Sequence, residues 1–277
     1  MTDLVVQGPL LSPLAAAELQ LLTGSTGLTN PCPGAWRLTD VQTQAGVAEF
    51  CSGLRLDFAF LEFRRRLTDF RVLALDMDST LITIECIDEI ADMVGVKPQV
   101  AAITEAAMRG DLDFPGALRR RVALLAGLEE TALQRVYEER LRLSPGAETL
   151  LAAAQAAGLK TVLVSGGFTY FTERLQARLG LDYTLANVLE VEHGRLTGHV
   201  VGPIVDADAK AEKVAAVCAE LGCNTDRAIV LGDGANDLKM MKLAGLSVAY
   251  RAKPVVQRQA TVAFNHVGLD GVLALLS

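Results

Sequence analysis

Arg71-Val-Leu-Ala-Leu-Asp76-Met-Asp78-Ser-Thr80 is a short apolar run that opens directly into an acidic, hydroxyl-bearing loop. A buried parallel strand reads this way when its C-terminal end delivers side chains to a site. Asp76 and Asp78 stand two residues apart, so both can face one cavity, because side chains two apart share a side of a strand. Taken alone, an Asp-x-Asp is compatible with a metal site, a helix N-cap or a turn.

Two further segments have the same form. Lys160-Thr-Val-Leu-Val-Ser165-Gly166-Gly167 and Arg227-Ala-Ile-Val-Leu-Gly232-Asp233-Gly234 are apolar runs that end in glycine and a polar residue. Helical patterns lie between them at 147–158, 168–180 and 208–222, each closing on glycine. Strand alternating with helix predicts an α/β fold with a Rossmann-like parallel sheet. Residues 182–206 carry short β-type runs around Gly194, Gly198 and Gly202, as a hairpin or an extra strand pair would.

From about 84 to 142 the alternation gives way to helical periodicity alone. Ile87, Ile90, Ala91 and Val94 fall on one face, and Leu118, Val122 and Leu125 on another. We expect a small helical-bundle cap inserted after the first strand, over the C-terminal edge of the sheet; a plain core helix pair has the same pattern. Residues 1–70 differ in kind, with Pro9, Pro13, Pro31 and Pro33 and a boundary at Glu62-Phe-Arg-Arg-Arg. They are assigned to a small N-terminal module, with the core at 71–277.

A composition of 51% hydrophobic and 21% charged residues belongs to a globular chain. The net charge of −7 and a pI near 5.1 argue against a nucleic-acid partner. No apolar run reaches the length of a membrane span, and Met1-Thr-Asp-Leu-Val-Val lacks the features of a signal peptide, so a cytoplasmic location is expected. Cys32, Cys51, Cys86, Cys218 and Cys223 form no CxxC pair and read as reduced thiols. His193, His199 and His266 lie outside any motif.

Three strand ends supplying acid, hydroxyl and acid would converge at one edge of a parallel sheet. Ser165-Gly-Gly with free N–H groups at a helix start could cradle phosphate oxygens, although the tripeptide is also a common turn. Gly232-Asp233-Gly234-Ala-Asn236-Asp237 sets polar side chains among glycines, and an acidic loop beside the first suggests a shared cation. In this order the residues resemble the haloacid dehalogenase (HAD) superfamily, whose motifs are DxDxT, a Ser/Thr after the second strand, a lysine and GDxxxD. DMDSTLITIECIDEIA (76–91), Ala107 to Leu125, VSGGF (164–168) and GDGAND (232–237) are similar to its phosphoserine phosphatase family over roughly 71–277.

The resemblance implies that Asp76 is a covalent nucleophile and Asp78 the general acid and base. It implies Mg2+ held by the Asp76 carboxylate, the Asp78 carbonyl and Asp233, with Asp237 orienting that shell. Ser165, Gly166 and Lys210 would bind phosphate; Lys213 is the rival lysine, and a solvated helix charge is the ordinary reading of either. Glu85 and Arg121 would meet the ammonium and carboxylate of phosphoserine, Met108 and Phe114 would line the cap, and Asn236 would contact substrate. A solvated basic face is the plain alternative for Arg119-Arg120-Arg121. Other readings are another small phosphomonoester, phosphate transfer to an alcohol, or a non-catalytic amino-acid-binding regulator. Many bacterial relatives carry a longer ACT-type regulatory module, against which residues 1–70 look reduced; a homodimer through this module is a further expectation.

Overall fold

A computed structural model of the chain describes residues 2–62 and 64–277, with Met108 described by its backbone alone. The first part of the chain folds as β1 (Asp3–Gln7), α1 (Pro13–Thr23), β2 (Gly27–Cys32), β3 (Ala35–Thr39), α2 (Val47–Leu54) and β4 (Asp57–Leu61). These strands form one antiparallel sheet in the order β2-β3-β1-β4. The elements follow one another in a β-α-β-β-α-β circuit. Its second helix was hidden from the sequence: α2 starts at Gly46 with no capping side chain, so the usual start signal is missing.

β1 is buried on both faces. Leu4 and Val6 pack with Leu19, Leu38, Val47 and Cys51 beneath the two helices. Val5, by contrast, joins Ala35 and Ala59 in the main core of the molecule. Two buried polar residues close this seam. Arg37 pairs with Asp3 at 3.3 Å and donates to the carbonyls of Ala274, Leu275 and Ser277. Asp57 accepts the N–H groups of Asn265, His266 and Val267 at 2.9, 2.8 and 2.9 Å.

The rest of the chain runs β5 (Val72–Leu75), α3 (Cys86–Met93), α4 (Lys97–Met108), α5 (Phe114–Ala123), α6 (Thr131–Arg135), α7 (Ala147–Ala156), β6 (Lys160–Phe168), α8 (Thr169–Leu179), β7 (Tyr183–Glu192), β8 (Arg195–Val201) and α9 (Ala207–Glu220). It finishes with β9 (Ala228–Gly232), α10 (Leu238–Leu243), β10 (Leu246–Tyr250), α11 (Pro254–Gln257), β11 (Val262–Phe264) and α12 (Gly271–Leu275). The seven strands are ordered β11-β10-β9-β5-β6-β7-β8, parallel throughout except for the antiparallel pair β7–β8. All four residues of β5 are buried, as a central parallel strand covered on both faces requires.

Register explains the convergence at the sheet edge. Leu75 lies opposite Leu163 on β6 and Leu231 on β9, so the residues that follow these three come to one level of the sheet. The next residues on those strands include Asp76, Ser165 and Asp233. The connection from β5 to β6 runs one way across the sheet while β9 lies on the other side, a switch point of the kind that opens a crevice.

One local expectation changes. Ser165-Gly166-Gly167 does not open a helix: β6 continues to Phe168, which pairs with Asn187, and the tripeptide is an irregularity in the ladder. The helices α3 to α6 stand between β5 and α7, and a short neck joins them to the core. Ile82 bridges Leu143 there, and Thr83 N–H donates to the Arg142 carbonyl at 2.9 Å. No described helix is long and apolar enough to cross a membrane.

Candidate active site

The loop after β5 is shaped by its own backbone. Asp76 and Asp78 are extended, and Ser79 takes a left-handed conformation at φ 56° that turns the chain back. Asp76 Oδ1 accepts Met77 N–H at 2.7 Å, and Asp78 Oδ1 accepts Cys86 N–H at 2.9 Å. The other oxygen of Asp78 points across the crevice to β6. A Cβ on Gly167 would lie 2.6 Å from Asp78 Oδ2, so with a side chain here the Asp78 carboxylate would have to shift, and glycine allows it to stand where it does. Gly167 N–H in turn donates to Ser165 Oγ at 2.8 Å. Asn187, buried on β7, donates to the Gly166 carbonyl and accepts Val205 N–H, both at 2.8 Å, which ties the irregular strand to the chain leading into α9.

Asp206 caps α9 by accepting the N–H groups of Asp208 and Ala209. The first turn then carries Lys210 inward, where it is 0% exposed. Its Nζ lies 2.8 Å from Asp76 Oδ1 and 2.8 Å from Asp237 Oδ1. Burial would lower this ammonium, but Asp237 and Asp76 more than reverse that and hold it charged. Lys213, the rival, lies over the Tyr183 ring at 5.0 Å instead.

Asp237 is fully committed within the protein. Its Oδ1 meets Lys210, and its Oδ2 accepts Asp233 N–H at 3.1 Å and Gly234 N–H at 3.0 Å. Asp233 Oδ1 accepts Thr80 Oγ at 3.2 Å. Asp76, Asp233 and Asp237 each bring a carboxylate oxygen within 4.8 Å of the others. Asp237 already meets three donors and is fully buried, so Asp76 and Asp233 are the more available of the three acids for a metal.

The charge balance favours a cation there. One buried ammonium faces three carboxylates, with Asp78 close by. Burial, then Asp237 and Glu85, push Asp233 up to about 7. Burial, then Glu85, push Asp78 to about 7 against the Cys86 N–H bond. Burial and Asp237 likewise raise Asp76, with Lys210 opposing. A compact set of hard oxygen donors with surplus negative charge fits magnesium and does not fit a soft metal.

The cap supplies the roof. The Phe114 ring packs on Gly166, where a Cβ would come 2.8 Å from Phe114 Cζ. Arg119 and Arg120 are exposed, but Arg121 is half-buried. Burial lowers its guanidinium, and the nearby carboxylates of Asp88, Glu85 and Asp78 pull the other way. Glu85 accepts Ser79 Oγ at 2.6 Å at the mouth of the crevice.

The structure thus brings together Asp76, Asp78, Ser165, Gly166, Lys210, Asp233 and Asp237, with Phe114, Glu85 and Arg121 above them. Asn236 lies beside its own loop, near Gly234. The side chain of Met108 lies outside the described residues. Sequence reasoning did not single out Thr80 or Asn187. Thr80 had a signal in its place in the DMDST motif; a buried Asn on a strand had none.

A central-strand carboxylate stands against a buried lysine and a second acidic loop, under an inserted helical cap, as in a hydrolase of the haloacid dehalogenase type. The chain belongs to the haloacid dehalogenase-like hydrolase family, whose model matches residues 73–242. It is 55% identical over 216 residues to a phosphoserine phosphatase of Polaromonas sp., covering 76% of this chain and 92% of that one. A solved structure described as a probable phosphoserine phosphatase from Vibrio cholerae is similar at a TM-score of 0.86 and 38% identity, over 99% of this chain and 86% of that one. Another, described as a phospho-aspartyl intermediate analogue of phosphoserine phosphatase, has a TM-score of 0.70 and 36% identity over 77% of this chain and 100% of that one.

Proposed function

We propose that the chain hydrolyses O-phosphoserine to serine and inorganic phosphate, with Asp76 as nucleophile. The observation that carries this reading is the fully buried Lys210 held between Asp76 and Asp237 at the C-terminal edge of the sheet. An ammonium fixed beside a strand-end carboxylate is suited to neutralising phosphoryl oxygens as that carboxylate attacks.

In the first step an oxygen of Asp76 bonds to phosphorus while the bond from phosphorus to the serine oxygen breaks. Asp78 delivers its proton to that departing oxygen. In the second step water attacks phosphorus, Asp78 takes the water's proton, and the bond to Asp76 breaks to release phosphate. A carboxyl lifted to about 7 can serve as acid and then as base near neutral pH. Ser165 and Lys210 bind the transferring oxygens, and Asp237 holds Lys210 and the 233–234 loop in place. Magnesium, held by Asp76, Asp233 and the Asp78 carbonyl, would supply further neutralisation of phosphate charge. Arg121 receives the substrate carboxylate and Glu85 its ammonium, while Phe114 closes the crevice against water and Asn236 lines its entrance.

Phosphate release from phosphoserine, phosphothreonine, phosphoglycolate and an aryl phosphate, each with magnesium and with EDTA, tests the reading. Phosphoserine should be preferred, EDTA should stop turnover, and Asp76→Asn should lose on the order of a thousandfold or more in kcat while melting like the parent. Near-parental turnover by Asp76→Asn would remove the nucleophile from the scheme.

A further inference from the structure

The cap is attached to the core at a second place, far from the neck in sequence. The tip of the β7–β8 hairpin, a two-residue turn with His193 at φ 52° and Gly194 at φ 75°, reaches the cap segment that follows α5. Backbone bonds run both ways across this junction. Gly127 N–H donates to the Leu196 carbonyl at 2.8 Å, Leu196 N–H donates to the Leu128 carbonyl at 2.8 Å, and Glu130 N–H donates to the Gly194 carbonyl at 3.0 Å. Arg195 adds bonds to the Gly127 carbonyl at 2.8 Å and to Glu129 Oε1 at 2.9 Å. Leu196 is 2% exposed and belongs to the same core cluster as Leu118, Val122 and Leu125 of the cap.

The two elements also approach closely at Gly198. Its φ of 87° lies in the left-handed region, and a Cβ there would stand 2.9 Å from Ala126 Cβ and 3.3 Å from Ala123 Cα. Ala123 is the last residue of α5 and lies two residues beyond Arg121. The helix that carries Phe114 and Arg121 is therefore seated directly on β8, which β7 joins to the sheet.

We infer that the β7–β8 hairpin is a fixed seat for α5, and that Gly198 and Arg195 are positioning residues that set the distance between Arg121 and the Asp76–Asp78 loop. The inference rests on the reading of Arg121 as the ligand of the substrate carboxylate. Widening the seat displaces Arg121 relative to the phosphate site but leaves that site in place, since it is built on β5, β6 and β9 with Lys210 of α9, whose lead-in is anchored separately by Asn187 at Val205 N–H. The loss then falls on substrates that carry a carboxylate.

The test compares phosphoserine with O-phosphoethanolamine, which lacks only the carboxylate, in the full chain with magnesium. In Gly198→Ala, KM for phosphoserine should rise about tenfold, the scale set by a displacement of an ångström or less. Over the same change, kcat/KM for phosphoethanolamine should stay within about twofold of the parent. Arg195→Ala should shift the phosphoserine KM in the same direction, by about threefold, and Arg195→Lys should recover part of it. Arg195 and Glu129 are exposed, so these variants keep the test open if Gly198→Ala fails to fold. Equal losses on both esters, or no change in any folded variant, would overturn the seat. A parent enzyme that does not discriminate between the two esters would overturn the carboxylate reading and the inference with it, a result seen before any variant is made.

Discussion

At the scale of single residues, the site is a problem of excess negative charge with one internal answer and one external. Lys210 is the internal answer. Replacing it with methionine would leave Asp76 and Asp237 facing each other without a counter-ion, and breaking a buried pair this way costs about 3–5 kcal/mol. Urea denaturation should show that loss, and a variant as stable as the parent would mean the ammonium is not holding the two acids. The external answer, on the function proposed above, would be magnesium, tied to pH through Asp233. Its carboxyl, raised to about 7, binds a proton below that pH and is free to ligate above it. Cation binding must displace that proton, so magnesium affinity should increase from pH 6 to pH 8 and level off beyond. Titration calorimetry across that range checks the sign; affinity that falls with rising pH would contradict it. Asp76, Asp78 and Asp233 were legible in the sequence because each stands just beyond an apolar strand run, whereas Lys210, inside α9, was preferred to Lys213 only through the family resemblance. Thr80 and Asn187 were not singled out, since what matters about them is a partner 153 or 18 residues away.

At the scale of elements, the ends of β5, β6 and β9 were readable because each is an apolar run that opens into polar residues, while β10 and β11 lack that exit and were not read. Nor was the course of β6. Ser165-Gly166-Gly167 reads as a stop, yet the strand resumes at Phe168, and the irregularity exists to let Asp78 approach. Gly167→Ala should therefore impair catalysis more than folding. We expect kcat to fall by about a hundredfold, the cost of shifting a catalytic group by about an ångström, with little change in KM. A variant with parental kcat would show that Asp78 does not depend on this gap. The junction between the hairpin and the cap was equally silent in the sequence, because backbone-to-backbone bonds leave no trace in side-chain pattern.

At the scale of the whole molecule, the N-terminal module and the catalytic core share one buried seam. Asp57, which is 3% exposed, satisfies three N–H groups on the segment between β11 and α12. Asp57→Ala should cost about 3 kcal/mol by stranding those donors. It should also split a single thermal transition into two, seen by calorimetry as a broadened or double peak; an unchanged melting curve would mean the module is only loosely attached. A change of composition near residue 70 was visible in the sequence, but α2 and the seam were not, since α2 lacks a capping signal and the seam depends on residues far along the chain. Asp57 meets residues 208 to 210 positions later, and Arg37 reaches carbonyls 237 to 240 positions later. During synthesis the module therefore leaves the ribosome long before its partners exist, and the inner face bearing Val5, Ala35 and Ala59 stays open to solvent until the sheet behind it has been made. The seam is the last part of the molecule to close, so a nascent chain stalled before residue 265 presents a folded module with an apolar face, the state most in need of a chaperone.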